Sequence, residues 1–426
     1  MVATRNFSRP EKSLQDIHSC EKMHSVPSLA ILGGPALRNR PFLRWPVFAE
    51  ADRAALLQTF ESGEWGGYGA AVQQFEAEFA KAHDSLHGIT TANGTLSLEA
   101  ALTACGIGPG DEVIVPPISF VATATAVLRV GAIPVFADID SRTYNLNPSN
   151  AAAAVTPKTK AIIAVHFAGH PADMDALMPL AAHHGLAVIE DCAHAHGASW
   201  NSRKVGSFGN FGSFSFQQSK NMTAGEGGIL VTSNSTLAEL AWSYGNQGRS
   251  PRGAWYQHDR LGTNFRLTSL QSALLSVQLG RLPMQLRRRA ENAARLRAGL
   301  SADSILCAPE FDLRVTGHGL HLFVMRLNAQ RYPGVSRDHV VEALIAEGIT
   351  GVSCYPYPLY RNKLFRDHGH RLLPCPNAEQ MARESLWLTN DVLLGSAEDV
   401  DDVLSAIAKV TEFAEELLAA NTENSQ

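Results

Sequence analysis

The chain has 426 residues, 45% of them hydrophobic and 18% charged, with a formal net charge of -5. That length fits a large domain with a smaller companion, and an acidic balance without a basic tract excludes a nucleic-acid footprint. Six dispersed cysteines without a CxxC pair fit reduced thiols in a cytoplasmic protein, and no apolar run is long enough to cross a membrane.

Residues 1–25 mix charge and serine without the apolar run of a signal peptide, so a disordered extension is expected there. Ala51, Ala54, Leu56, Leu57 and Phe60 predict a helix over 50–61, ended by the glycine-rich stretch from Ser62 to Gly69. Val72, Phe75 and Phe79 predict a second. Gly94-Thr95 opens a helix carrying Leu96, Leu98, Ala101 and Leu102, which stops at the glycines from Gly106 to Gly110. Strands are expected over 113–116, 133–137, 160–165 and 186–189, with helices over 122–130 and 174–184. This alternation predicts an α/β domain over 26–280 whose mainly parallel sheet is covered on both faces. Further on the pattern is helical over 268–282 and again over 284–300. A strand over 322–327, a helix over 339–347 and a helical stretch over 397–420 complete a smaller α+β unit, so that 281–426 reads as a linking helix and a second domain. Arg287-Arg288-Arg289 reads as the solvated side of a helix.

Lys220 lies in Phe214-Ser215-Phe216-Gln217-Gln218-Ser219-Lys220, followed by Asn221 to Gly228 with Gly225-Glu226-Gly227-Gly228 at the end. A lysine among small residues and glycine turns is an amine held for covalent work rather than a surface charge. Asp191 lies 29 residues upstream, just past an apolar strand, in Glu190-Asp191-Cys192-Ala193-His194-Ala195-His196-Gly197. Alone it is a common capping residue. Paired with Lys220 it points to pyridoxal phosphate (PLP), the lysine tethering the cofactor and the aspartate facing its pyridine nitrogen.

Such a cofactor also needs a phosphate cradle and a wall for its ring. Thr91-Ala92-Asn93-Gly94-Thr95 at a helix start offers backbone amides and the Thr95 hydroxyl, with Ser215 as a second hydroxyl. Phe120 follows a buried strand, where core packing is common, and becomes the ring wall if Asp191 holds the nitrogen. His166 and His170, His183 and His184, and His194 and His196 are closely spaced, but none of these pairs comes with a convincing third metal ligand. His194, three residues after Asp191, is placed to meet the cofactor's phenolic oxygen, with His166 in support. The segments 65–68, with Trp65 and Tyr68, and 355–360, with Tyr355 and Tyr357, are candidates for the acceptor pocket together with His166 and Gln217, and residues 251–258 for its rim.

These motifs resemble the DegT/DnrJ/EryC1/StrS group of sugar and cyclitol aminotransferases, of PLP fold type I, from about Leu29 to the C-terminus. The resemblance implies a mainly parallel seven-stranded sheet flanked by helices, with a smaller C-terminal α+β domain. It implies Lys220 as tether and proton carrier, Asp191 as nitrogen partner, Phe120 as stacking residue, and Gly94, Thr95 and Ser215 at the phosphate. Asn264, in Gly262-Thr263-Asn264-Phe265-Arg266, resembles an asparagine reaching the phosphate of a neighbouring subunit, which implies a homodimer with shared sites. Many nucleotide-sugar members carry histidine where this chain has Gln217. That glutamine, together with His194, resembles the cyclitol aminotransferases and the aminohydroxybenzoate synthases.

The expected activity is therefore transfer of an amino group from glutamine or glutamate, through pyridoxamine phosphate (PMP), to a ketone on a cyclitol or related polyhydroxylated ring. A nucleotide-keto-sugar aminotransferase, a PLP-dependent dehydratase or aromatising synthase, and a catalytically inactive interaction protein are the competing expectations.

Overall fold

The computed structural model describes residues 29–308, 310 and 312–423. The expected N-terminal extension lies outside them. Two helices, α1 (Glu50–Ser62) and α2 (Ala70–Ala82), lead into the sheet region; α2 buries Val72, Phe75 and Phe79, whereas α1 buries Asp52 and Thr59 and leaves Ala51, Ala54, Leu57 and Phe60 exposed. There follow β1 (His87–Thr91), α3 (Gly94–Ala104), β2 (Glu112–Val115), α4 (Ala122–Arg129), β3 (Ile133–Phe136) and α5 (Pro148–Ala153). Next come β4 (Thr159–Val165), α6 (Met174–His184), β5 (Ala187–Asp191) and a short hairpin of β6 (Ser199–Trp200) and β7 (Arg203–Lys204). The region closes with β8 (Phe211–Ser215), β9 (Gly228–Thr232) and α7 (Ser235–Gly245).

The main sheet runs β1-β9-β8-β5-β4-β2-β3 and gains an eighth strand at the β3 edge, β14 (Arg371–Leu372). Pairing is parallel from β8 through β5, β4, β2 and β3 to β14, and antiparallel on both sides of β9. The sheet is thus mainly parallel, but eight-stranded rather than seven. A two-residue strand is too short to show any alternation, so tertiary pairing alone creates the extra edge. Strands β2, β8 and β9 are buried along their whole length, as covering on both faces requires.

The two helices expected over 268–300 are one helix, α8 (Ser269–Gly299), which runs through Pro283. Proline removes one backbone bond and favours a break. Here a buried stripe of Leu275, Leu282, Arg289, Asn292, Ala293 and Leu296 keeps the helix continuous. Its first half packs with Phe75, Phe214 and Phe216 under the main sheet. Ala293 and Leu296 join a second core.

That second core surrounds a four-stranded antiparallel sheet of β10 (Leu306–Cys307), β12 (Phe323–Leu327), β15 (Ser385–Leu388) and β13 (Val352–Ser353). It is covered by α9 (Arg337–Ala346) and α13 (Ala397–Glu412), the latter opened by a capping box from Ser396 and Asp399. Leu29 is buried in the same core, and Arg38 donates to Asp399 at 2.8 Å, so the first described residues pack on the C-terminal unit.

Candidate active site

Most of the residues singled out in the sequence sit at or just past the carboxyl ends of strands of the main sheet, where open α/β sheets hold their ligands in a crevice: Gly94-Thr95 after β1, Phe120 after β2, Asp191 and His194 at and after β5, Ser215 and Lys220 at and after β8. Strand β5 ends on Glu190 and Asp191, whose side chains alternation sends to opposite faces. Asp191 is only 6% exposed. Its carboxylate accepts the Thr123 hydroxyl at 2.8 Å and the Ala193 N–H at 3.2 Å. Burial raises its affinity for a proton, while those bonds and the charge on Lys220 oppose the shift. Lys220 sits in the turn after β8, its N–H donating to the Gln217 carbonyl at 2.9 Å. Burial lowers its amine from 10.5 to about 8, against the pull of Asp191. The amine is therefore available in its neutral, nucleophilic form close to pH 8.

At the other end of the crevice, Asn93 caps α3 by accepting the Leu96 N–H at 3.0 Å. Thr95 lies in the first turn, where backbone N–H groups point out of the helix. Gly94 permits the contact between this helix and β8, because a Cβ there would lie 2.7 Å from Cβ of Ser215. Phe120 presents a ring that is 59% exposed. Its carbonyl accepts the Thr123 N–H at 3.2 Å, which ties it to the residue that holds Asp191.

His194 Nδ1 accepts the Ala168 N–H at 3.3 Å, and its ring lies over His321, 4.4 Å between centroids. Both imidazoles have their proton affinity driven well below the usual 6.5, chiefly by burial. Gln217 turns its Oε1 to the Ser219 N–H and hydroxyl at 2.9 and 2.8 Å.

His166 supports the pocket from behind, its N–H donating to the Asp191 carbonyl at 3.1 Å. It is fully buried, with Nε2 donating to Glu190 at 3.0 Å and Nδ1 accepting the Ala172 N–H at 2.9 Å. Glu190 also accepts the N–H groups of Gly206, Phe208 and Gly209 and braces the face opposite Asp191. His166, Glu190 and Cys192 bring ligand atoms within 4.8 Å of one another, but the carboxylate is already saturated by these donors. Tyr357 is 43% exposed and bonds Asn362 at 3.4 Å. Its neighbour Tyr355 is the one that faces inward, packed edge-on to Trp387 at 4.9 Å, its hydroxyl held protonated by burial and by Asp191.

Trp65, Tyr68 and Asn264 form a separate group that shares no hydrogen bond with Lys220 or Asp191 among the described residues. Trp65 stacks on Phe60 at 5.2 Å, and the Tyr68 hydroxyl accepts from Arg249 and Arg266 at 3.1 and 3.3 Å. Asn264, exposed, accepts the Arg266 N–H at 3.3 Å. Trp255 and Tyr256, in the expected rim, are 82% and 78% exposed.

Sequence reasoning missed Thr123, Asn221, His321 and Arg289. The first three carry no local pattern. Arg289 does: it continues the spacing of Leu282 and Gln285 towards Asn292 and Leu296, a buried helical stripe, so the third arginine of the run faces inward while Arg287 and Arg288 are exposed.

The residues present fit pyridoxal phosphate. A buried carboxylate bonded to one hydroxyl and one amide still needs a cation, an exposed aromatic ring needs a partner, and the Gly94 cradle tolerates no side chain. A parallel-sheet crevice built in this way defines the class, that of PLP enzymes of fold type I. Within that class the chain belongs to the DegT/DnrJ/EryC1/StrS aminotransferase family, whose pattern matches residues 47–408. It is a PLP-dependent aminotransferase.

A protein of Streptoalloteichus tenebrarius, provisionally named as an L-glutamine:3-amino-2,3-dideoxy-scyllo-inosose aminotransferase, is 40% identical over 405 residues, 90% of this chain and 97% of its own. The L-glutamine:2-deoxy-scyllo-inosose aminotransferase of Streptomyces lividus is 38% identical over 423 residues, covering 92% and 99%. Among solved structures, 3-amino-5-hydroxybenzoic acid synthase superposes with a TM-score of 0.82 at 34% identity, covering 88% of this chain and all of that one.

Proposed function

We propose that this enzyme moves an amino group from L-glutamine or L-glutamate to a ketone on a cyclitol or related polyhydroxylated ring, in secondary-metabolite biosynthesis. The observation that carries this reading is near full-length similarity to inosose aminotransferases, joined to Gln217 and His194 beside the lysine.

Bound pyridoxal phosphate supplies the electron sink and carries nitrogen between donor and acceptor. Asp191, steadied by Thr123, would hold the pyridine nitrogen, Phe120 would wall the ring, and Gly94, Thr95 and Ser215 would hold the phosphate. Lys220 would tether the cofactor and carry a proton at Nζ to and from the substrate carbon, and a value near 8 suits both directions. His194, its proton affinity driven down by burial, would form part of the pocket wall. The enzyme acts as a homodimer, with Asn264 of one copy completing the phosphate site of the other.

The test presents PMP-loaded enzyme with keto-cyclitols and nucleotide keto-sugars and identifies products by mass spectrometry. An aminated cyclitol is expected. Amination of nucleotide sugars alone would replace the substrate class, and loss of water without gain of nitrogen would favour the aromatising reading that similarity to the hydroxybenzoate synthase raises.

A further inference from the structure

Gly319, Leu320 and His321 enter the lysine pocket from the C-terminal unit and are gripped on several sides. The Gly319 N–H donates to Gly169 at 2.8 Å and the His321 N–H to Ala168 at 3.0 Å. Asn221, next to Lys220, donates from Nδ2 to the Gly319 carbonyl at 2.6 Å and places its Oδ1 3.4 Å from His321 Nδ1. Between these anchors Leu320 takes a φ of 45°, a left-handed conformation uncommon for a bulky residue that persists only where the surroundings enforce it.

The remaining grip comes from α8. Arg289 Nη1 donates to the Leu320 carbonyl at 3.0 Å. The residue is fully buried, its guanidinium lies 5.8 Å from the Trp45 ring, and its Nε and Nη2 have no hydrogen-bond partner among the described residues. Burial drives its affinity for the proton down, from 12.5 to about 9. A buried cation without a carboxylate costs stability, and an apolar side chain of similar volume packs such a site at no such cost. Fold stability alone therefore does not explain this arginine.

We propose that Arg289 is a positioning residue of the lysine site, which through the Leu320 carbonyl holds His321 against His194 and Asn221. This rests on Lys220 being the tether. Asp191 is the ionisable group acting on Lys220, and His83, His194, His196, His321, Lys220 and, one layer out, Arg289 act on the adjoining imidazoles. Removing Arg289 frees His321 and loosens the packing that keeps water from the lysine, and burial is the chief cause of its lowered value. The lysine nitrogen then becomes easier to protonate, so the titration moves upward.

The experiment uses the full chain loaded with pyridoxal phosphate and reads the pH midpoint and circular dichroism of the visible cofactor band. Arg289→Met should raise the midpoint by about half a pH unit or more and weaken the dichroism, with a smaller shift for Arg289→Lys. His321→Asn should shift it too, and Arg289→Met combined with His321→Asn should go no further than His321→Asn alone. An unchanged band in Arg289→Met, or shifts that add in the double variant, would overturn the proposal. If Arg289→Met does not fold, the same cycle run with Arg289→Lys decides on the same additivity criterion. Peptide mapping after borohydride separates the two readings. Label away from Lys220 removes the tether itself, whereas label on Lys220 with an unmoved midpoint removes only the role of Arg289.

Discussion

An amine whose ordinary value of 10.5 has been brought to about 8 has one chief cause here, the water stripped from Lys220, and one opposing influence, the carboxylate of Asp191. The sign matters for stability as well as chemistry. A folded value below the unfolded one makes the lysine a cost to folding that is present in full below pH 8 and disappears as the pH rises past 10.5. Reductive methylation of the cofactor-free chain, followed by peptide mass spectrometry, should show Lys220 modified with a midpoint near pH 8 while exposed lysines follow an ordinary midpoint near 10.5. A Lys220 midpoint as high as theirs would contradict the desolvation of its amine. Lys220→Ala should still bind the cofactor noncovalently yet lose turnover on the order of 10⁴-fold or more, because tether and proton carrier vanish together. Substantial steady-state turnover in the loaded variant, with wild-type contamination excluded, would remove the assigned role.

Where α3 meets β8, two elements approach so closely that one of them must carry glycine. A Cβ on residue 94 would sit 2.7 Å from Ser215 Cβ, closer than real side chains come. Gly94→Ala should therefore cost about 1–3 kcal/mol of stability and push the helix start away from the phosphate. Thermal melts with and without pyridoxal phosphate test both effects. A variant that melts lower yet gains as much from the cofactor as the wild type would leave the packing argument standing and remove the cradle. The same scale accounts for α8. Pro283 signals a break, but the buried stripe on either side of it belongs to two cores, and continuity of burial outweighs one lost backbone bond.

The whole molecule leaves Trp255, Tyr256 and Leu261 more than three-quarters exposed, on the segment that leads to Asn264. An exposed apolar loop tip of this kind is in keeping with the proposed contact between two copies of the chain. If Asn264 of one copy completes the phosphate site of the other, inactive Lys220→Ala and impaired Asn264→Ala proteins should complement when mixed. Random exchange gives half mixed dimers, each with one intact site of two, so recovery of about a quarter of wild-type activity is expected. Mixtures no more active than the average of their parents, with subunit exchange verified, would place Asn264 within its own subunit's business.

What the chain determined unaided was the chemistry that depends on local signals. Lys220 among small residues, Asp191 after an apolar strand and Gly94-Thr95 at a helix start each announce a backbone environment, and the alternation of strands and helices announces a parallel sheet. Residues whose meaning comes from a distant partner stayed hidden. His321 acquires its place from Asn221 and His194, 100 residues and more away in sequence. His166 supports Asp191 through its backbone, while strand alternation puts its side-chain partner Glu190 on the face opposite Asp191. Arg287-Arg288-Arg289 is one run in sequence, but helical rotation buries only its last member. Local periodicity is written into consecutive residues, whereas long-range contact comes into being only when the two units close on each other.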